Sequence, residues 1–258
     1  GDKTLTVHVV PRSGRINSFM IDEQGKGLRA LGGDLINPIV TPSKNLVIPA
    51  IPNQKKKPGQ SAGSTNVLRV LTPGEVDASV TVELVSGDGV FIPVGLNSRN
   101  VEAGTVTEFT FSPSISSSVF ALKITSTEPI VAAVESTVAI GGRKDFTWST
   151  PAPELSTFTM AVTGLAPLIA FTGAEINVAV DITMVNGKVV RKAIKGADIA
   201  TWKVPASARS FTITKVGKQT FAGALVSSVN GYGYFPIAAG SVLTRVEVPD
   251  SNIRILNP

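Results

Sequence analysis

Apolar and polar residues alternate along most of this chain with a period of two, broken by turn-forming clusters roughly every 8 to 12 residues. Val80, Val82 and Leu84 alternate with Thr81 and Glu83. Ser86-Gly87-Asp88-Gly89 follows as a turn, and Phe91 to Leu96 continues as the partner strand. Successive strand side chains point to opposite faces, so this pattern predicts strands buried on one side and joined by hairpins. Helices are not expected. The stretch from Glu23 to Leu31 holds two glycines, and that from Thr150 to Leu155 holds two prolines.

The alternation repeats. Leu71-Thr72-Pro73-Gly74-Glu75-Val76-Asp77-Ala78-Ser79-Val80 aligns with Phe171-Thr172-Gly173-Ala174-Glu175-Ile176-Asn177-Val178-Ala179-Val180. Ser118 to Leu122 then corresponds to Arg209 to Ile213, and Pro129 to Ser136 to Thr220 to Ser227. The expected fold is therefore all-β, with two tandem immunoglobulin-like β-sandwiches over residues 66–155 and 156–258. Residues 1–30 read as the closing hairpin of a truncated repeat, with its strands over residues 4–22 docked on one of the sandwiches. A lone hairpin is marginal in water, which is why docking is expected. Residues 31–65 read as a Pro-rich linker, holding Pro38, Pro42, Pro49, Pro52 and Pro58 beside Lys55-Lys56-Lys57. Asn45 to Ile51 is apolar enough for an edge strand within it.

Composition narrows the function classes. Only 17% of the 258 residues are charged, against a usual value of about 25%. The net charge of +5 suits an anionic partner. No basic stripe with interleaved aromatic residues is present, so nucleic acid is not an expected partner. The chain has no cysteine, which removes disulfides and thiolate metal sites. No apolar run is long enough to span a membrane as a helix, and no stretch reads as a signal peptide.

Candidate chemistry is sparse. The one histidine, His8, lies in an alternating segment with no nucleophile elbow nearby. Glu75, Asp77, Glu83, Asp88, Glu135, Asp145, Glu175 and Asp181 sit at turns or alternate outward on strands, a solvated arrangement rather than a paired acid and base. Zinc would need Cys or His clusters, and no acid-rich calcium loop occurs, so no metal and no cofactor are expected. The residues best suited to contact a ligand are Arg143 and Lys144, after Gly141-Gly142, together with Trp148, Tyr232 and Tyr234. The last two stand among glycines in Gly231-Tyr232-Gly233-Tyr234-Phe235, where rings are free to form a contact patch. Trp202 ends an alternating strand and reads as core.

Several phrases occur together in one order: Val10-Pro11-x-Ser13-Gly14-Arg15, Gly27-Leu28-Arg29-x-Leu31-Gly32-x-Asp34, Leu68-Arg69-Val70-Leu71-x-Pro73-Gly74-Glu75-x-Asp77-Ala78, Ile124-Thr125-Ser126-x-Glu128-Pro129-Ile130-Val131-Ala132 and Asp145-Phe146-x-Trp148. With them the chain resembles an uncharacterised actinobacterial family of secreted or membrane-anchored proteins. The resemblance implies an extracytoplasmic envelope protein, anchored by a segment upstream of Gly1. It also implies a role accessory to envelope polysaccharide assembly, with a membrane glycosyltransferase as the protein partner. The expected function is thus a non-catalytic interaction or scaffolding module. The alternatives are a binding module for anionic cell-wall glycan and a carboxylate-dependent hydrolase.

Overall fold

The computed structural model describes residues 4–240, except 11, 14, 15, 17, 27, 28, 40, 55–64, 141, 142, 229 and 230. It is all-β, and no helix occurs among these residues. The first two strands, β1 (Met20–Lys26) and β2 (Arg29–Ile36), form a two-stranded sheet of their own. The hairpin expected over residues 4–22 therefore lies later in the chain. The described residues before Met20 carry no strand, and residues 31–36, assigned above to the linker, belong to β2. The cause lies in the pairing. Met20 to Gln24 finds its register against Gly32 to Ile36, and the open glycine backbone of that partner lies flat on a neighbouring sheet.

The first large sheet contains eight strands: β3 (Ser43–Pro52), β4 (Thr65–Leu71), β5 (Ala78–Ser86), β6 (Gly89–Phe91), β7 (Arg99–Val101), β8 (Val106–Phe111), β9 (Val119–Ile140) and β10 (Arg143–Ser149). The 22-residue strand β9 organises it. Its first half pairs with β3 and β5, its second half with β4 and β10. Glu128 and Pro129 lie between the two sets of partners, where a residue without an N–H breaks no ladder. One strand thus serves two layers, and the sheet curls around a core of Ile48, Leu68, Val80, Leu84, Phe120, Leu122 and Val134.

The second sheet contains β11 (Thr159–Ala161), β12 (Leu168–Met184), β13 (Val189–Lys203), β14 (Ala208–Lys215), β15 (Phe221–Ser227) and β16 (Tyr232–Pro236). Here β12 is the strand with two sets of partners, β15 along its first part and β14 along its second, with a register shift between Gly173 and Ile176. Its core is separate and includes Ile169, Phe171, Val178, Val180, Trp202 and Phe211. Trp202 fills that core edge-to-face against Phe211, with 5.4 Å between ring centroids.

The two sheets share a pairing scheme. Leu71 stands opposite Val131, and Phe171 opposite Ala222, which matches the sequence alignment. The other half shifts. Val80 faces Ser126 whereas Val180 faces Ile213, so the counterpart of Ile213 is Ser126 and not Leu122. The second copy has a longer connection between its two returning strands, where β9 runs unbroken. In exchange, β4 and β5 are separated by Thr72–Asp77 where β12 is continuous.

Candidate functional site

The densest gathering of ionisable and aromatic side chains lies where the β1–β2 hairpin meets β10, β9 and β4. Three of the phrases quoted for the family resemblance, those holding Asp34, Arg69 and Asp145-Phe146-x-Trp148, converge there.

β10 is an edge strand, hydrogen-bonded on one side to β9. An open edge invites foreign strands unless something covers it. The hairpin does. Asp34 on β2 accepts the Trp148 backbone N–H at 2.6 Å and the Thr147 hydroxyl at 3.0 Å. Asp22, its cross-strand neighbour on β1, accepts the indole N–H of Trp148 at 2.9 Å. Gln24 donates to Asp22 and, at 3.0 Å, to Glu135 on β9. Close approach is possible because β2 presents Gly32: a Cβ there would stand 2.7 Å from Asp145 Oδ1.

Trp148 and Glu135 are cross-strand partners, and Arg69 joins them from β4. The Arg69 guanidinium lies 4.7 Å from the centroid of the Trp148 ring. It also donates to Glu135 at 2.5 Å and to Glu108 on β8 at 2.7 Å. Thr4 donates its hydroxyl to the same Glu108. Burial works against the Arg69 charge, but the two carboxylates prevail and hold its pKa above the usual value. The bonds from Thr4 and Arg69 hold Glu108 below the usual carboxylate range. Asp34 moves the other way. Its burial outweighs the N–H and hydroxyl it accepts, and the nearby Asp145 charge adds to the upward shift.

The residues singled out from sequence do not form one ligand-facing surface. Trp148 and Tyr234 are buried, at 8% and 4% exposure. The Tyr234 hydroxyl donates to the Thr150 carbonyl at 2.6 Å, and burial pushes its pKa well above the ordinary phenol range. Tyr232 is half-buried. Its backbone N–H donates to Asp145 at 3.0 Å, and its hydroxyl accepts from Gln54 at 3.3 Å. Lys144 is exposed, and Arg143 pairs along the backbone with Ile140. Tyr232 and Tyr234 are thus tied to Asp145 and Thr150 at a joint between β10 and β16, whereas Trp148 is held by Asp22, Asp34 and Arg69. Sequence reasoning missed Asp22 and Asp34. Asp34 stands inside one of the resemblance phrases, and that was the available signal.

Of the remaining candidate acids, Glu75, Glu83 and Glu175 are exposed, and the other three have partners. Asp77 accepts the Ala103 N–H at 2.9 Å, Asp88 accepts the Ser116 N–H at 2.5 Å, and Asp181 pairs with Arg191 at 2.7 Å. No group of three or more metal-ligating side chains is present among the described residues. Among the described residues, no helix is long and apolar enough to cross a membrane.

Residues 1–205 match a family of unknown function (DUF5719). The chain belongs to that family. No curated protein and no solved structure matches the chain.

Proposed function

We propose that this member of the family is a non-catalytic interaction module that works outside the cytoplasm, in the cell envelope. One observation carries the reading. The side chains richest in chemical potential are engaged in joining parts of the chain: Asp22, Asp34, Asp145, Trp148 and Tyr234 bond a hairpin and two sheets together. A reactive centre needs groups aimed at empty space where a substrate fits, and these are aimed at each other. What such an arrangement provides is a stiff body with loops and sheet edges free for partners. The envelope setting and a membrane glycosyltransferase partner come from the resemblance stated above.

Fractionation of cells that carry this chain tests the setting. The expected result is recovery with the envelope and cleavage by protease added outside the membrane; recovery in the cytosol would overturn it. The non-catalytic part is tested by Asp22→Asn and Asp34→Asn in whole cells. Both are expected to preserve function as long as the protein stays folded. Loss of function in a fully folded Asp22→Asn protein would point to the hydrolase reading.

A second reading, binding of an anionic envelope glycan, is favoured by the charge on the second sheet. Lys188, Lys192, Lys195, Arg209, Lys215 and Lys218 are exposed and take part in no ion pair among the described residues. With Trp148 and Tyr234 buried, recognition there would be electrostatic rather than by ring stacking. Calorimetric titration with an anionic and a neutral wall polymer separates the two. Salt-sensitive binding of the anionic polymer alone supports this reading.

A further inference from the structure

Three connections of the second sheet are bonded together at one end of it. The β12–β13 hairpin turns through Val185-Asn186-Gly187, closed by the Gly187 N–H donating to the Met184 carbonyl at 2.9 Å, with Gly187 at φ 82°. The Lys188 N–H donates to Asn186 Oδ1 at 3.0 Å, and the Met184 N–H to the Lys188 carbonyl at 2.8 Å, so the turn is fixed. The Val185 N–H donates to the Ser207 carbonyl at 2.8 Å, which ties the turn to the connection before β14. The Val162 N–H donates to the Arg209 carbonyl at 2.8 Å, which adds the connection before β12. There the Leu165 N–H turns back to the Val162 carbonyl at 3.0 Å. Residues 162–167, 184–192 and 205–209 hold Lys188, Arg191, Lys192 and Arg209 and no carboxylate. They also expose Leu165, Val185, Val189 and Val190, at 46%, 58%, 58% and 38%. Asp181, the acid nearest the turn in sequence, is bonded to Arg191. Apolar side chains on a rigid support therefore face water among four cations.

We propose that this end of the second sheet docks on an anionic lipid surface, with Val185 and Val189 entering the headgroup layer and Lys188, Arg191, Lys192 and Arg209 meeting lipid phosphates. The charge is complementary, because a cationic end without carboxylates is drawn to an anionic bilayer and repelled by nothing of its own. The apolar part is complementary as well. Lysine and arginine stems lie along apolar surface while their charged ends reach phosphate, so valines and cations in alternation suit the boundary between headgroups and acyl chains. A protein partner suits this end less well. The exposed apolar side chains are few and none is aromatic, which gives no anchor of the kind that carries a protein interface. The lysines here also serve the glycan reading above, but a hydrated polymer makes no use of the valines. Lipid binding of this kind goes beyond both readings of function and is a property of the chain itself, whatever its protein partner.

Sedimentation of the full chain with vesicles tests this. It is expected to pellet with vesicles of phosphatidylglycerol mixed into phosphatidylcholine and to stay in solution with phosphatidylcholine alone. Each of Lys188→Gln and Lys192→Gln should weaken binding about fivefold. The double variant Val185→Ser/Val189→Ser keeps every charge and should weaken it at least tenfold, with an unchanged melting temperature. The absence of cysteine allows a second readout. A polarity-sensitive fluorophore on Val185→Cys is expected to shift to the blue on the mixed vesicles, and the same fluorophore on the exposed Thr110→Cys of β8 to stay unshifted. Absence of pelleting with the mixed vesicles would overturn the proposal, as would equal pelleting with both kinds. So would full binding by the folded valine double variant, or equal shifts at the two labelled sites. Binding of an anionic wall polymer without binding of the mixed vesicles would leave the glycan reading standing and refute this one.

Discussion

Thr72 and Thr172 occupy matching places in the two sheets, each fully buried and each with a hydroxyl lacking a partner among the described residues. A buried hydroxyl without a hydrogen bond costs about 1–3 kcal/mol. Valine has the same shape without the hydroxyl. Thr72→Val and Thr172→Val are each expected to raise stability by about 1 kcal/mol, read as a higher urea midpoint at unchanged slope. A lower midpoint would mean that the hydroxyl has found a partner, such as a water. Arg69 is the opposite case, because it balances Glu108 and Glu135 and covers the Trp148 ring. Arg69→Ala leaves the largely buried Glu135 without its cation and should cost about 2–3 kcal/mol. Arg69→Lys should recover less than half of that, since an ammonium cannot reach both carboxylates from over the ring. Both variants are measured by chemical denaturation, with Trp148 fluorescence reporting the local environment. Part of this scale was legible in the sequence. Trp202 stood at the end of an alternating strand and is core. Trp148 also stood in an alternating strand, but its burial depends on Asp22 and Arg69, which lie far away in the chain.

At the scale of elements, the hairpin is the part whose attachment depends on pH. Asp34 has a folded pKa above its ordinary value, because burial disfavours the carboxylate. An acid raised in this way binds more protons folded than unfolded, so its contribution is fully present below its ordinary pKa. It is lost as the pH rises through the raised value. Docking of residues 20–36 should therefore tighten on mild acidification. Asparagine keeps an oxygen for the Trp148 N–H and the Thr147 hydroxyl but carries no charge. Asp34→Asn is expected to dock at least as firmly at neutral pH and to lose the acid dependence. Hydrogen exchange of the β1–β2 amides from pH 4 to 7 checks both; equal pH dependence in the two proteins would refute the assignment. The existence of strands was legible from period-two alternation. The hairpin's position was not, because Leu5 to Val10 alternates whereas Met20 to Gln24 does not. Pairing was decided by which segment had a glycine-bearing partner able to lie on β10.

For the whole molecule, the decisive feature is the joint between the two sheets. Ala50, Val119, Ala170, Leu225 and Tyr234 form a third apolar cluster that takes residues from both. β3 bulges between Ile48 and Ile51, with Ala50 at φ 57°, and brings Pro49 against β15. A Cβ on Gly223 would stand 2.9 Å from Pro49 Cγ and 2.9 Å from the Tyr234 ring. Gly223→Val is thus expected to wedge the joint and cost about 1–3 kcal/mol. Tyr234→Phe removes the donor to the Thr150 carbonyl and should cost about 1–1.5 kcal/mol. Calorimetry is expected to show one unfolding transition for the unmodified chain and two for Gly223→Val, as the sheets uncouple. A single unshifted transition in that variant would mean that the joint carries no cooperativity.

Local pattern alone determined that this chain is all-β, that its apolar stripes fill two cores, and that its scheme repeats. Side-chain alternation, turn chemistry and internal similarity are properties of neighbouring residues, readable without coordinates. Only the tertiary structure decided which carboxylates meet Trp148 and that Tyr234 closes a joint instead of facing solvent. Those outcomes depend on contacts between residues 84 to 126 positions apart, such as Asp34 with Trp148, and no period along the chain encodes them.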